Sequence, residues 1–409
     1  MISLIDKKKC VGCHACVQCC PKSCIRMKED EEGFLYPETA VSLCIDCHLC
    51  ERVCPVLSPK EEGRQPEVYA MKNRDEEVRS RSSSGGIFSL VAAEILTEGG
   101  VVFGARLNDR WEVVHDYTEQ LQGLPPFLGS KYVQSKIGNS YRQAEQFLKA
   151  GRCVLFSGTP CQIAGLLGYL GEEKGHLITL DVICHGVPSP RIWDSYLREL
   201  LGKKLAVGEE ALVKEVSFRN KEQGWKNYNF VIQGTAENSV GIKKWISEPW
   251  KENSFMRGFL GDLYLRPSCY ACPVKSFRSG SDLTLGDFWG IEEVLPEWDD
   301  DRGISAVFVH SEKGKEVIQR IKDKCEGVES RYEYVVRRNP SLEKSVTEPR
   351  NRQYFFTHWK EKPLIPFIEE MVKPVSQGKW KRLIRKLVRL LKSGKRYAFS
   401  YTHLRAHET

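Results

Sequence analysis

Long apolar segments are missing from this 409-residue sequence. No stretch approaches 18 consecutive apolar residues, and the opening MISLIDKKKC has no apolar signal-peptide core. The sequence therefore predicts neither a membrane span nor a secretory signal, and we expect a cytoplasmic protein. The patterns GxGxxG and GxxxxGK(S/T) are missing too, which speaks against a standard dinucleotide-binding fold and against an ATP site.

Positive charge is concentrated in one short segment. The formal net charge is +7, but residues 371–396 contain ten Lys or Arg residues and no Asp or Glu, so removing them leaves −3. Elsewhere no basic stripe is paired with aromatic residues, and we therefore predict no nucleic-acid binding. Hydrophobic residues at 41% and charged residues at 28% indicate a globular chain, long enough for two or three domains.

The same basic segment predicts an amphipathic helix over 380–391. Its apolar face consists of Trp380, Leu383, Ile384, Leu387, Val388, Leu390 and Leu391. Its basic face consists of Lys381, Arg382, Arg385, Lys386 and Arg389. Such a helix can lie on an anionic membrane, here the inner face, or dock an acidic partner; the alternative is a terminal helix packed on its own domain. We interpret residues 398–409, which resemble translated sequencing-adapter read-through, as a sequence artefact.

Cysteines are abundant and unevenly placed, since ten of the sixteen lie within the first 54 residues. Two runs share the spacing C-x2-C-x2-C-x3-C-P, and their members are Cys10, Cys13, Cys16 and Cys20, then Cys44, Cys47, Cys50 and Cys54. This is the bacterial ferredoxin pattern for two [4Fe–4S] clusters, in which the fourth cysteine of each run binds the other cluster. We therefore predict that Cys54 completes the first cluster and Cys20 the second. Disulfides would need a secreted chain, and zinc usually takes two C-x2-C pairs.

Beyond a polar linker at 58–66, strand and helix patterns alternate along the chain. Strands are predicted at 68–70, 101–105, 153–157 and 177–183, and helices at 87–96, 143–149, 162–170 and 193–201. This alternation favours an α/β architecture with a mixed or mostly parallel sheet, behind an α+β ferredoxin-like N-terminal domain. The predicted domains are 1–58, 67–145 and 150–325, and a charged region with the basic helix occupies 326–397.

Four further cysteines predict a third iron–sulfur site. Cys161 and Cys184 each follow a predicted strand, so they should meet at one edge of a parallel sheet. Cys269 and Cys272 form a C-x2-C-P pair that repeats the local pattern of the ferredoxin runs. Together these residues supply the four thiolates that a cluster needs. The alternative is that Cys161 and Cys184 are core residues and that the pair is a zinc or redox dithiol.

A turn of small residues, Ser82-Ser83-Ser84-Gly85-Gly86, precedes the predicted helix at 87–96. Small residues at a helix N-terminus let a phosphate group approach the backbone N–H groups there. A plain helix cap explains the same residues. The turn by itself therefore leaves a phosphate site and a structural cap open.

Several longer motifs occur in order along the chain. They are SSSGGIFSLVAAEIL, GSKYVQS, VLFSGTPCQIAGLLGYL, DVICHGVPSP and CYACPVKSFRSGSDLTLGDFWG. Together with the double ferredoxin run, over roughly residues 1–320, they resemble the coenzyme F420 hydrogenase/dehydrogenase beta-subunit family. The resemblance implies an iron–sulfur flavoprotein with FAD beside a [4Fe–4S] cluster. It implies FAD contacts from Ser83, Ser84, Gly85, Gly86 and Lys131, and flavin-proximal cluster ligands at Cys161, Cys184, Cys269 and Cys272.

We therefore expect an iron–sulfur, flavin-dependent oxidoreductase that passes electrons between its clusters and FAD, for two-electron or hydride chemistry on F420 or another acceptor. Its partner would be a redox protein or a small-molecule electron acceptor. Two alternatives stay open, namely a non-catalytic electron-transfer adaptor that feeds a partner enzyme and a reductase of a sugar- or lipid-linked intermediate. No individual catalytic residue is predicted, because the motifs contain no residue that identifies F420 as the substrate.

Overall fold

The computed structural model describes residues 2, 6–59, 61, 65–172, 174–204, 211–236 and 242–373. The predicted basic helix at 380–391 and the segment 398–409 lie outside these residues. The strands are β1 (Ile25–Glu29), β2 (Leu35–Thr39), β3 (Glu67–Asn73), β4 (Val101–Leu107), β5 (Val113–Thr118), β6 (Val154–Gly158), β7 (Leu177–Val182), β8 (Ala211–Asn220), β9 (Asn229–Ala236), β10 (Lys243–Pro249), β11 (Leu283–Asp287), β12 (Ser305–Val309) and β13 (Cys325–Ser330). The helices are α1 (Ala15–Gln18), α2 (Leu49–Arg52), α3 (Glu76–Arg81), α4 (Ile87–Thr97), α5 (Ser140–Lys149), α6 (Pro160–Leu170), α7 (Pro190–Lys204), α8 (Ser254–Leu260), α9 (Ile291–Val294), α10 (Glu312–Arg320), α11 (Tyr332–Arg338), α12 (Arg352–His358) and α13 (Leu364–Val372).

Eight strands form one mixed sheet in the order β13-β3-β12-β11-β7-β6-β4-β5. The four central strands, β11, β7, β6 and β4, run parallel to one another, and antiparallel neighbours flank them on both sides. The predicted mixed or mostly parallel sheet is therefore confirmed. Strands from both predicted segments, 67–145 and 150–325, hydrogen-bond within this sheet, and β13 begins at the last residue of the second segment.

The central strands are buried because helices cover both faces of the sheet. In β6, Val154, Leu155 and Phe156 are fully buried, as expected for a parallel strand between two helical layers. Leu155 packs with α4 and α10 on one face, while Val154 and Phe156 pack with α5 and α6 on the other. The alternation of strand and helix patterns in the sequence thus produces a three-layer core.

The N-terminal segment is a small α+β unit, as predicted. It consists of an antiparallel β1–β2 pair, with the short helix α1 before it in the chain and the short helix α2 after it. Its buried core consists of Ile2, Cys16, Cys20, Cys24, Ile25 and Cys50. The unit packs against α6, where a β-carbon on Gly165 would lie 2.7 Å from Cys13 Cβ. One turn later, a β-carbon on Gly168 would lie 2.5 Å from the carbonyl oxygen of Val53. Glycine at these two helix positions therefore allows the N-terminal unit to approach the helix closely.

A three-stranded antiparallel sheet, β10-β9-β8, forms a further packing unit with α7, α8, α12 and α13. Trp193 and Phe230 are buried in its core. α12 and α13 contribute Phe355 and Phe367 to the same core, so this part of the predicted charged region 326–397 folds onto the rest of the protein. Within the described residues, no helix combines the length and the apolar character that crossing a bilayer requires.

Candidate functional site

Four of the six cysteines beyond the N-terminal unit, Cys161, Cys184, Cys269 and Cys272, lie around one cavity. Cys161 is in the first turn of α6, directly after β6, and Cys184 follows the end of β7. β6 and β7 pair in parallel, so their carboxyl ends bring these two residues to the same edge of the sheet. Cys269 and Cys272 reach the cavity from the segment between α8 and β11. The structure thus brings together all four residues of the predicted third cluster, which are called the cavity cysteines below.

Local hydrogen bonds hold the cavity cysteines in place. Thr159 caps α6, and its hydroxyl oxygen lies 3.2 Å from Cys161 Sγ. At Cys184, Lys275 Nζ donates to the carbonyl oxygens of Cys184 and Ser341 at 2.6 and 2.5 Å. Lys275 is buried, so its ammonium group brings a positive charge to the cavity wall. A positive charge in this position favours anionic sulfur.

Burial raises the pKa of Cys161, Cys184 and Cys269 to about 12. These groups are neutral thiols near pH 7 unless a metal replaces the proton, because a metal-bound thiol is deprotonated. Among the described residues, no group of three or more His, Cys, Asp or Glu side chains is arranged to hold a single metal ion. A [4Fe–4S] cluster instead distributes its four thiolates over four iron corners, so the arrangement fits a cluster better than a zinc ion.

A second cavity lies inside the N-terminal unit. It is lined by Cys20, Cys44, Cys47 and Cys50, the four predicted ligands of one cluster, together with Cys24. Cys24 Sγ lies 3.4 Å from Cys20 Sγ, so this additional cysteine is a buried thiol that touches a predicted ligand. The structure therefore places Cys20 with the later cysteine run rather than with its own, in agreement with the crossed ferredoxin pattern.

The other four predicted N-terminal ligands, Cys10, Cys13, Cys16 and Cys54, also lie close together. Burial is the main cause that raises the pKa of Cys13, and the charges of Cys16, Cys10 and Cys54 raise it further. Burial likewise raises the pKa of Cys16, followed by the charges of Cys10 and Cys54. Cys54 thus lies with the first cysteine run although 34 residues separate it from Cys20, the last member of that run.

The two segments assigned to FAD meet in space. Ser130 Oγ donates to Ser83 Oγ at 2.8 Å, which joins the serine–glycine turn to the loop that carries Lys131. Lys131 Nζ donates to the carbonyl oxygen of Leu128 at 2.7 Å, and burial lowers the pKa of Lys131 to about 7. No carboxylate among the described residues forms an ion pair with this lysine. A half-buried lysine without a counter-ion is a favourable partner for an anionic ligand.

Three residues of the turn also have structural partners. The hydroxyl of Ser84 donates to the carbonyl oxygen of Ile304 at 2.8 Å, and the Gly85 N–H donates to Ser305 Oγ at 3.0 Å. Gly86 has a left-handed backbone, with φ of +82°, and forms the N-terminal cap of α4. These contacts hold the turn in place at the N-terminus of α4.

Two basic residues near the turn are missed by the sequence analysis. Lys221 Nζ donates to the carbonyl oxygens of Ser84 and Arg79 at 2.9 and 2.7 Å, and burial lowers the pKa of Lys221 to about 7. Arg219 is buried and pairs through Nη1 with Asp287 Oδ2 at 2.5 Å. Its Nε and Nη2 atoms, which form a two-pronged donor edge, have no hydrogen-bond partner among the described residues. No local sequence pattern predicts that Lys221 and Arg219 lie near the turn, because their position depends on the packing of β8 against a distant part of the chain.

Comparison with known proteins gives two family matches. Residues 151–331 match the model for the C terminus of the coenzyme F420 hydrogenase/dehydrogenase beta subunit, and residues 9–57 match the 4Fe-4S dicluster domain. Both resemblances noted in the sequence are confirmed over these residues. A chain from the xenon-derivatised F420-reducing [NiFe] hydrogenase complex of Methanosarcina barkeri is similar, with 14% identity, a TM-score of 0.44, and coverage of 76% of this chain and 92% of that chain. No curated protein matches significantly.

Proposed function

Because the chain joins a 4Fe-4S dicluster domain to the C-terminal domain of a coenzyme F420 hydrogenase/dehydrogenase beta subunit, we propose that it is an iron–sulfur flavoprotein oxidoreductase. In this proposal electrons pass between [4Fe–4S] clusters and FAD, and the flavin supplies the conversion between one-electron and two-electron or hydride chemistry. The reaction partner would be F420, another small molecule or a redox protein. The observation that carries the proposal is the meeting of the cavity cysteines at one edge of the sheet.

We assign the cysteines to three clusters. The first would be held by Cys10, Cys13, Cys16 and Cys54, the second by Cys20, Cys44, Cys47 and Cys50, and the third by the cavity cysteines. The crossed spacing of the two runs supports the first two assignments. The buried ammonium group of Lys275 supports the third, because it would offset part of the negative charge of a thiolate-bound cluster.

We propose that FAD binds at the serine–glycine turn with its phosphates near Lys131. A phosphate would supply the anion that this half-buried lysine lacks among the described residues. Ser83 Oγ accepts a hydrogen bond from Ser130, so its own proton stays available for a ligand oxygen. The other predicted contacts, Ser84, Gly85 and Gly86, would form the entrance to α4, where the helix dipole favours a phosphate.

The two proposed cofactor sites lie close together along β11. Thr284 lines the cavity of the cavity cysteines, and the carbonyl oxygen of Gly286, two residues further on, lies 3.5 Å from Ser84 Oγ. This closeness supports electron transfer between a cluster and a flavin. Arg219 has an unused two-pronged donor edge and approaches the same end of β11 through Asp287, so it is suited to a planar or anionic acceptor.

We also propose a cytoplasmic location, with contact to the inner membrane face or to an acidic partner through the basic segment. The support is the charge pattern of 380–391. Deleting residues 379–396 should therefore weaken binding to anionic vesicles. Vesicle binding that persists unchanged in the deletion variant would remove the membrane contact from the proposal.

Anaerobic purification followed by cofactor analysis tests the proposed function. Denaturation should release stoichiometric FAD, and the intact protein should contain about 12 iron atoms per chain, four for each of three clusters. A protein without flavin would favour the alternative of an electron-transfer adaptor, and about eight iron atoms would remove the third cluster. Zinc in place of iron would contradict redox chemistry altogether. A screen of F420, NAD(P)H and reduced ferredoxin would then identify the reaction partner.

A further inference from the structure

We propose that Arg266 is a counter-charge shared by two of the clusters, and that it raises the reduction potentials of both. The inference rests on the proposed function, because it requires the first N-terminal cluster and the cluster of the cavity cysteines. Arg266 would act on the clusters through the protein and not on a substrate, so it would be a positioning residue.

Arg266 lies between the two cysteine groups and is completely buried. Its Nε donates to the carbonyl oxygen of Cys10 at 2.7 Å, and its Nη2 lies 3.5 Å from Cys10 Sγ. Nη1 donates to Gln134 Oε1 at 3.0 Å, and Nη2 also donates to the carbonyl oxygen of Leu35 at 2.9 Å. The same side chain lines the cavity of the cavity cysteines. The guanidinium group therefore contacts a proposed ligand of one cluster and faces the proposed site of another.

The first cysteine loop is shaped around this guanidinium group. Gly12, between the first two cysteines, has a left-handed backbone with φ of +68°, and a β-carbon there would lie 2.8 Å from both Cζ and Nη1 of Arg266. The rings of Tyr36 and Phe34 have their centres 4.3 and 5.5 Å from Arg266 Cζ. Glycine at position 12 is thus needed both for the backbone conformation and for the space that Arg266 occupies.

The surroundings of Arg266 leave its charge without a carboxylate. Its partners among the described residues are two backbone carbonyls, one side-chain amide and one sulfur. A buried cation without an anion is unfavourable, because it loses its hydration and gains no opposite charge. A [4Fe–4S] cluster with four thiolates carries roughly −2 when oxidised and becomes more negative on reduction. Two such clusters would supply the missing negative charge from both sides.

The charge of Arg266 acts on the first cysteine run and on the cavity cysteines. Burial raises the pKa of Cys161 and Cys269, and the guanidinium group acts in the opposite direction on both thiols. On the other side it touches Cys10 Sγ. When one electron passes from the first cluster to the third, the first is oxidised by one electron and the third is reduced by one, and no bond or proton needs to move. Arg266 stabilises the reduced form of each cluster, so removing its charge should lower both potentials.

A redox titration of the iron-loaded protein, followed by electron paramagnetic resonance, tests this role. Arg266→Met removes the charge and keeps an unbranched side chain. We expect about a tenfold lower equilibrium constant for one-electron reduction of the first and third clusters, which is a shift of about 59 mV to more negative potential. The second cluster lies around a different cavity, which Arg266 does not line, and should keep its potential. Arg266→Lys keeps a positive charge and should stay near the wild-type values.

Arg142→Met is the matched control. Arg142 Nε donates to the carbonyl oxygen of Gln18 at 2.9 Å, so it crosses the same boundary of the N-terminal unit, through a backbone carbonyl. Its loss should leave all three potentials unchanged. Unchanged potentials in an iron-loaded Arg266→Met protein, or a shift confined to one cluster, would overturn the shared role.

If Arg266→Met loses iron, the comparison of Arg266→Lys with Arg266→Gln decides the question. A charge effect requires lower potentials in the glutamine variant only, and equal potentials in the two variants would overturn the inference. Failure of the proposed function is visible separately in the wild-type protein. About eight iron atoms per chain would mean that the third cluster is absent, whereas about 12 atoms with unshifted variants would reject Arg266 alone.

Discussion

Cys13 and Gly165 are in direct contact across the boundary between the N-terminal unit and α6: a β-carbon on Gly165 would lie 2.7 Å from Cys13 Cβ and 2.9 Å from Cys13 Sγ. Gly165 is one helical turn beyond Cys161 on the same helix. One turn of α6 therefore touches a proposed ligand of the first cluster, and the preceding turn carries a proposed ligand of the third. This contact therefore connects the two proposed redox units through a single helix.

Gly165→Ala should loosen this boundary. The added β-carbon would collide with Cys13, and forcing such an atom into a packed contact typically costs about 1–3 kcal/mol of stability. Electron transfer from the N-terminal clusters to the third cluster should slow as the two units separate. Denaturant unfolding and stopped-flow reduction of the third cluster measure the two effects.

The matched control for that variant is Gly202→Ala in α7, where a β-carbon would meet no atom within 4 Å. Alanine in a helix is more stable than glycine by up to about 1 kcal/mol, so this variant should be neutral or stabilised and should transfer electrons normally. Equal behaviour of the two alanine variants would show that the contact at Cys13 is unimportant.

Cys269→Ala should lower the iron content by about four atoms per chain, because a cluster that loses one of its four ligands is unstable. Cys325→Ala provides the control, since Cys325 is a buried thiol at the start of β13 that donates to the carbonyl oxygen of Ile321 at 3.3 Å. Its iron content should equal that of the wild type. Colorimetric iron analysis of anaerobic preparations is sufficient, and an unchanged value for Cys269→Ala would rule out a third cluster at the cavity.

Lys131→Met should weaken FAD binding about tenfold to a hundredfold, as expected when a charge-assisted hydrogen bond of about 1.5–3 kcal/mol is lost. Lys136→Met serves as the control, because Lys136 pairs with Glu112 Oε1 at 2.5 Å on a part-exposed surface. Fluorescence titration of the flavin-free protein with FAD gives the two dissociation constants. Equal affinities for both variants would remove Lys131 from the flavin site.

FAD affinity should fall as the pH rises through about 7. Burial lowers the pKa of Lys131 to about 7, so the cation that attracts a phosphate is present below this pH and is lost above it. Lys131→Arg keeps its charge throughout and should flatten the curve. Part of the slope should remain, since burial also lowers the pKa of Lys221 to about 7 beside the same turn. A wild-type affinity that is constant between about pH 6 and pH 8 would contradict this account.

Removing iron should unfold the N-terminal unit while the main sheet persists. Four of the six residues in the buried core of that unit are cysteines, and three of them, Cys16, Cys20 and Cys50, are proposed cluster ligands, so the core depends on the clusters. Hydrogen exchange after anaerobic chelation should show loss of protection in β1 and β2 and retained protection in β6 and β7. Identical exchange patterns before and after chelation would show that the unit folds without metal.

Local patterns explain the parts of the fold that the sequence predicts well. A strand is predicted at 153–157 and observed at Val154–Gly158, and a strand predicted at 177–183 is observed at Leu177–Val182. Both are short apolar runs bounded by polar or glycine residues, and each is followed by a helical pattern. The meeting of Cys161 with Cys184 follows from the same information, because consecutive β-α-β segments place their carboxyl ends together.

Residues that meet only through long-range contacts are not predicted from the sequence. Arg266 and Cys10 are 256 residues apart, and no local pattern links them. The same is true of Lys221 and Ser84, which meet across 137 residues. Buried charges of this kind are recognised only once the fold is known, because their environment and not their spacing gives them a role.

The position of β3 between β12 and β13 has a consequence for synthesis on the ribosome. Glu67 pairs with Val309, so the β3–β12 ladder can form only after the ribosome has added the next 242 residues. At about 5–20 residues per second, this delay lasts roughly 10 to 50 seconds. During that time the cysteine runs at the start of the chain are already made, while Arg266, which later packs against the first of them, emerges only near its end. A cluster that formed at the first cysteine run during synthesis would therefore form before Arg266 packs against Cys10.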